Sequence, residues 1–128
     1  MNNNVIVADN FFSNFSNIKS HFKKLELYTL EEGENLNMWS GDVGKWPGKR
    51  SLDFYETEPF LYNLILSEFD IRFRNFYQGT SFTCASYAHL RLDKDNEKDW
   101  IHADPVSQTL MIYVSETNLN SGTCFYDE

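Results

Sequence analysis

Apolar residues recur at helical spacing early in the chain and at alternate positions further along. Phe11, Phe15, Ile18, Phe22 and Leu25 follow one another at steps of four and three. That spacing puts them on one stripe of a helix of about four turns. Lys19, His21, Lys23 and Lys24 fall off the stripe and belong to its wet side. Ahead of it, Val5-Ile6-Val7 reads as a short first strand, with Asp9 and Asn10 supplying turn and cap chemistry. A second stripe, Phe60, Leu61, Leu64, Ile65 and Phe69, predicts another helix. Thr57-Glu58-Pro59 opens it, with Thr57 as N-cap and Glu58 or Pro59 in the first turn. Between the stripes, residues 31–51 read as loop, because Gly33, Gly41, Gly44, Gly48 and Pro47 interrupt any period. Trp39 and Trp46 are expected to pin that loop to the body.

After Asp70 the period changes to two. Ile71, Phe73 and Asn75 alternate with Arg72, Arg74 and Phe76 and predict a strand. A cleaner alternation follows, with Phe82, Cys84, Ser86, Ala88, Leu90 and Leu92 on the core face. Ser81, Thr83, Ala85, Tyr87, His89 and Arg91 take the other face. A charged turn spans residues 93–99, a strand runs from Trp100 to Pro105, and residues 108–114 form the next strand. A Ser/Asn/Gly turn at 115–122 leads to a last short strand at 123–126. Helices followed by antiparallel strands predict one α+β domain over residues 1–128, its helices packed outside a sheet.

Composition narrows the partners. With 41% hydrophobic and 16% aromatic residues in 128, the chain can bury a real core. A net charge of -8 with scattered Lys and Arg excludes a nucleic-acid surface. No apolar run is long enough to span a membrane, and residues 1–5 carry no secretory leader. Cys84 and Cys124 have neither scaffold nor metal spacing and read as buried thiols. A cytoplasmic, reducing location is the expectation.

Chemistry concentrates at His102-Ala103-Asp104. In a strand, side chains two apart share a face, so imidazole and carboxylate can grip one cation. Two histidines and a carboxylate hold non-haem Fe(II) with open positions, and this pair is two-thirds of that set. The acidic turn, Asp93, Asp95, Glu97 and Asp99 with Asp104, mimics an EF-hand count. Lys98 stands where that loop requires glycine, so the turn reads as a solvated hairpin. Tyr87, His89 and Arg91, with Tyr113 on the 108–114 strand, are candidates to line a co-substrate or substrate pocket. Their alternative is a wet outer face. Arg50, after Pro47-Gly48, either contacts an anionic co-substrate or fixes a loop. No residue is assigned a catalytic role.

Residues 100–126 resemble the first half of the double-stranded β-helix core of 2-oxoglutarate- and Fe(II)-dependent oxygenases of the prolyl-hydroxylase-like group. The likeness is carried by His102-Ala103-Asp104, the apolar run Leu110 to Val114 and Ser121-Gly122-Thr123. Trp46-Pro47-Gly48-Lys49-Arg50-Ser51 resembles a Pro-Gly-x-Arg element upstream of such cores. The resemblance implies N-terminal helices on a partial jelly-roll sheet, with His102 and Asp104 as Fe(II) ligands. It implies 2-oxoglutarate as co-substrate and hydroxylase-type oxidation of a small molecule or protein side chain. It also implies a distal His and a 2-oxoglutarate-anchoring basic residue after the Gly-Thr strand, expected beyond Glu128. The chain is then the N-terminal portion of the enzyme. The other reading is a jelly-roll binding module that uses no metal. A half barrel would leave strand edges open around residues 108–126, and homodimerisation through them is expected.

Overall fold

The first apolar stripe does form a helix, α1 (Phe15–Lys23), shorter than its spacing predicts. Asn10 adopts a left-handed φ of 53°, and the chain turns through residues 11–14 before the helix starts. That turn buries Phe12, a residue off the stripe. The computed structural model describes residues 5–39, 46–76, 81, 83–92 and 108–115. Val5, Ile6 and Val7 are exposed and form no strand, which corrects the expectation of a first strand there.

A helix also stands where the glycines predict only loop. In α2 (Leu30–Asn35), the Thr29 hydroxyl accepts from the Glu32 N–H at 3.1 Å. The Glu32 carboxylate accepts from the Thr29 N–H at 2.8 Å, completing a capping box. Gly33 is buried because the Trp39 indole lies where a side chain would be, and Trp39 Nε1 donates to the Leu30 carbonyl at 3.1 Å. The tryptophan anchoring expected of this segment is therefore present. Lys49 reaches Glu32 at 3.7 Å.

The Thr29 N–H bond, assisted by Lys49, holds the Glu32 carboxyl below its usual range, although burial pushes it the other way. A lowered folded pKa means this carboxylate stabilises the fold above its unfolded titration range. The contribution is lost as pH falls through the folded value. Glu32→Gln is thus expected to lower the thermal midpoint at pH about 7, with the difference shrinking towards pH about 3. Paired thermal melts of both proteins across that range check it.

A short helix α3 (Phe54–Thr57) leads into α4 (Pro59–Phe73). Asp53 caps α3, accepting from the Tyr55 N–H at 2.9 Å, while α4 starts from Glu58 without a side-chain cap, so Thr57, the last residue of α3, is not the cap the sequence predicts. Pro59 occupies the first turn of α4, as the sequence predicts. The predicted strand after Asp70 is instead the end of α4 and a 3-10 turn, Arg74–Phe76. Charge pairs four apart favour the helical choice: Arg74 binds Asp70 at 2.5 Å and Arg72 approaches Glu68 at 3.9 Å. Arg72 also donates to the Asn10 and Phe11 carbonyls, tying α4 to the turn before α1.

Two short strands, β1 (Lys49–Arg50) and β2 (His89–Leu90), pair antiparallel, with Arg50 opposite His89. Tyr28 bridges to the far side of Arg50 through two backbone bonds of 2.8 Å. The segment before β2 alternates as predicted up to Ala88: Cys84, Ser86 and Ala88 are half-buried, while Thr83, Ala85 and Tyr87 are exposed; Leu90 and Leu92, expected on the same core face, are exposed. It is held by Ser51 N–H to the Ala88 carbonyl and Phe54 N–H to the Ser86 carbonyl. The core comprises Phe12, Ile18, Phe54, Leu61 and Ile65, with Ile112 and Val114 packed on it.

These observations overturn the α+β jelly-roll expectation. Among the described residues helices dominate, the sheet has two strands, and no double-stranded β-helix is present. Residues 108–114 form no regular strand, although their alternation survives, with Ile112 and Val114 inward and Met111 and Tyr113 outward. The predicted strands at 100–105 and 123–126 lie outside the described residues. No described helix is long and apolar enough to cross a membrane.

Candidate functional site

His102 and Asp104, the expected metal ligands, lie outside the described residues, as do Gly122 and Thr123. Among the described residues no three His, Cys, Asp or Glu side chains converge on a common point. The described histidines are engaged elsewhere. His21 packs its ring on Phe60 at 4.7 Å between centroids, and His89 Nε2 donates to the Pro47 carbonyl at 2.7 Å.

What the structure does build is a cleft beside β1. Gly48, at φ 80°, turns the chain so that Arg50 enters β1 with its backbone fixed on both sides, by Tyr28 and by His89. The Arg50 guanidinium then lies 4.3 Å from the ring centre of Trp46 and 5.1 Å from that of Tyr87. A half-buried cation over two aromatic rings is attracted by their quadrupoles. Trp46 is only 8% exposed, and Trp39 meets it edge-on at 5.3 Å. The resulting cavity of about 430 Å³ is lined by Met38, Trp39, Trp46, Arg50, Tyr87 and the acidic pair Asp53 and Glu56, among others.

Arg50 Nε and Trp46 Nε1 are buried with no hydrogen-bond partner among the described residues. Both groups can only donate. Asp53 shares the cavity, and its Oδ1 accepts from the Tyr55 N–H at 2.9 Å and from the Ser86 N–H at 3.5 Å. No ion pair to Arg50 occurs among the described residues. The cleft therefore sets one guanidinium beside the carboxylates of Asp53 and Glu56.

Of the residues read from sequence as pocket candidates, Tyr87 joins this cleft and His89 braces the turn that shapes it. Arg91 and Tyr113 are exposed and do not line it. Arg50 is both a loop anchor, through its backbone, and a cleft residue, through its side chain. Trp46, expected only to anchor, is the wall against which Arg50 stacks.

A second cavity, about 450 Å³, is lined by Asp53, Tyr55, Tyr62, Leu66, Thr83 and Cys84. Burial, with help from the Asp53 charge, pushes the Cys84 thiol up. Burial does the same to the Tyr62 phenol, aided by the charges of Cys84, Asp53 and Tyr55. Neither group is activated as a nucleophile near neutral pH.

No protein-family model, curated protein or solved structure matches the chain.

Proposed function

We propose that the chain contributes two metal ligands, His102 and Asp104, to a 2-oxoglutarate- and Fe(II)-dependent oxygenase of hydroxylase type. The observation that carries this reading is the His102-Ala103-Asp104 spacing, followed by the apolar run at 109–114 and by Gly122-Thr123. Imidazole with carboxylate suits Fe(II). The reading stands on ligand chemistry and makes no claim to a jelly roll. When bound, Fe(II) with 2-oxoglutarate and dioxygen supplies an oxidation in which 2-oxoglutarate is decarboxylated to succinate. The chain's own part is to hold ligands, orient the substrate and exclude water.

Calorimetric titration with Mn(II), an oxygen-stable stand-in for Fe(II), tests the ligand assignment. His102→Ala and Asp104→Ala are each expected to weaken binding by about tenfold or more, since even supporting residues of metal sites are worth that much. Absent binding, or affinity unchanged in Asp104→Ala, overturns the reading. That outcome would leave a metal-free binding module.

A further inference from the structure

We infer that the cleft between Trp39, Arg50 and Tyr87 binds a small organic monocation, an amine whose aromatic body carries one ammonium group. The site lies on residues other than His102 and Asp104, needs no metal, and goes beyond the oxidative reading.

Charge sets the sign of the occupant. The charged side chains lining the cleft are Arg50, Asp53 and Glu56, one cation against two carboxylates. A single ammonium brings that lining to neutrality, and the chain's net charge of -8 attracts it from a distance. Arg50 does not cover either acid, since no ion pair joins it to them among the described residues. Its guanidinium is stacked on the Trp46 ring instead, 4.3 Å from the ring centre. Acceptors therefore remain. Both bonds to the Asp53 carboxylate end on Oδ1, and Oδ2 has no donor among the described residues. The Glu56 carboxylate also has no ion pair among them. An ammonium carries three donors and no acceptor, which complements two carboxylates that can only accept.

The walls select the body that carries the charge. Met38, Trp39 and Leu52 line the cleft with apolar surface, and its volume of about 430 Å³ falls in the range of small-molecule pockets. A hydrated metal ion would leave those walls wet. Two carboxylates also fall short of the roughly six to eight oxygens that Mg²⁺ or Ca²⁺ takes, and no three metal-ligating side chains converge among the described residues. An arylalkyl amine covers the apolar walls with its ring while its ammonium meets the acids. Asp53 is half-buried, so its charge is less screened than that of the exposed Glu56, and it is the stronger partner.

Ligand-observed NMR with phenethylamine as probe, in the presence of EDTA, tests the inference. Phenethylamine is expected to bind saturably, and phenethyl alcohol, its neutral counterpart, about tenfold more weakly or not at all. Nα-acetyl-lysine methylamide, which carries an ammonium without a ring, should also bind more weakly. Asp53→Asn is expected to weaken phenethylamine about tenfold, and asparagine still caps α3. Glu56→Gln should weaken it about threefold, as befits an exposed charge. Asp9→Asn removes the same charge from an exposed residue outside the cleft and should leave the affinity unchanged. A lack of phenethylamine binding overturns the inference, as does equal binding of the alcohol. Tighter binding of the lysine derivative overturns it in favour of a protein partner's lysine. An equal loss in Asp9→Asn and Glu56→Gln reduces the binding to diffuse attraction and overturns it too. Circular dichroism checks that the variants fold. If Asp53→Asn does not fold, Glu56→Gln decides, and unchanged affinity there overturns the inference. Because EDTA removes metal, failure of this site leaves the Mn(II) titration unaffected, and the reverse holds too.

Discussion

Truncating Phe54 to alanine is expected to destabilise the fold by about 3–5 kcal/mol, the usual cost of removing a buried aromatic ring. Phe54 is 2% exposed and sits in the cluster with Phe12, Ile18, Leu61 and Ile65. Its backbone is tied at the same point, since its N–H donates to the Ser86 carbonyl at 2.8 Å. The ring is thus lodged where α3 meets the extended segment before β2, and that junction has little freedom to close a void. A loss of this size is a large share of the stability of a small domain. Urea unfolding of the two proteins measures it, and a change below about 1 kcal/mol would mean that the ring packs outside the core.

The second large effect is expected at Gly48. Replacement by alanine should cost roughly 2–4 kcal/mol, because strain and overlap act together. At φ 80° a side chain is strained whatever room it has, and here the added Cβ would collide with the backbone carbonyl of Leu90. A backbone atom cannot swing aside as a side-chain tip can. The β1–β2 pairing would have to open, carrying Arg50 away from Trp46 and Tyr87. Gly48→Ala should therefore lose the ordered cleft together with stability. Urea unfolding combined with tryptophan fluorescence reads both, and a variant with wild-type stability would show that the turn does not constrain the pair.

Two of these features were within reach of the sequence and others were not. The α1 stripe follows from period and the opening of α4 from its first-turn proline, and both stand, although Thr57 does not cap that helix. Period failed after Asp70 because α4 is apolar on more than one side. Phe60 and Ile71 are exposed, so a helical window there can also be read as alternation. The i,i+4 charges Glu68/Arg72 and Asp70/Arg74 were the discriminating signal. α2 was hidden by its glycine, although Thr29 and Glu32 spell a capping box three residues apart. The glycine is there to admit Trp39, a contact that only tertiary structure shows.

The cleft divides in the same way. Arg50 stood out beside the Pro47-Gly48 turn and Tyr87 on the polar face of a predicted strand, but they are 37 positions apart and meet only through the register Arg50 to His89. Register is set by the Pro47-Gly48 turn and by Tyr28 on the opposite side, a long-range arrangement with no local signature. Unpartnered donors cannot be read from residue identity at all, since every Arg and Trp carries the same N–H groups. His102 and Asp104 are the converse case, legible as a spacing and lying outside the described residues.

The oxidative assignment meets its most direct test in an anaerobic difference absorption spectrum with Fe(II) and 2-oxoglutarate. It should be recorded on the chain and on any longer protein continuing past Glu128. The account predicts a metal-to-ligand charge-transfer band that disappears in Asp104→Ala. A featureless spectrum in both proteins, or a band that survives Asp104→Ala, would contradict it.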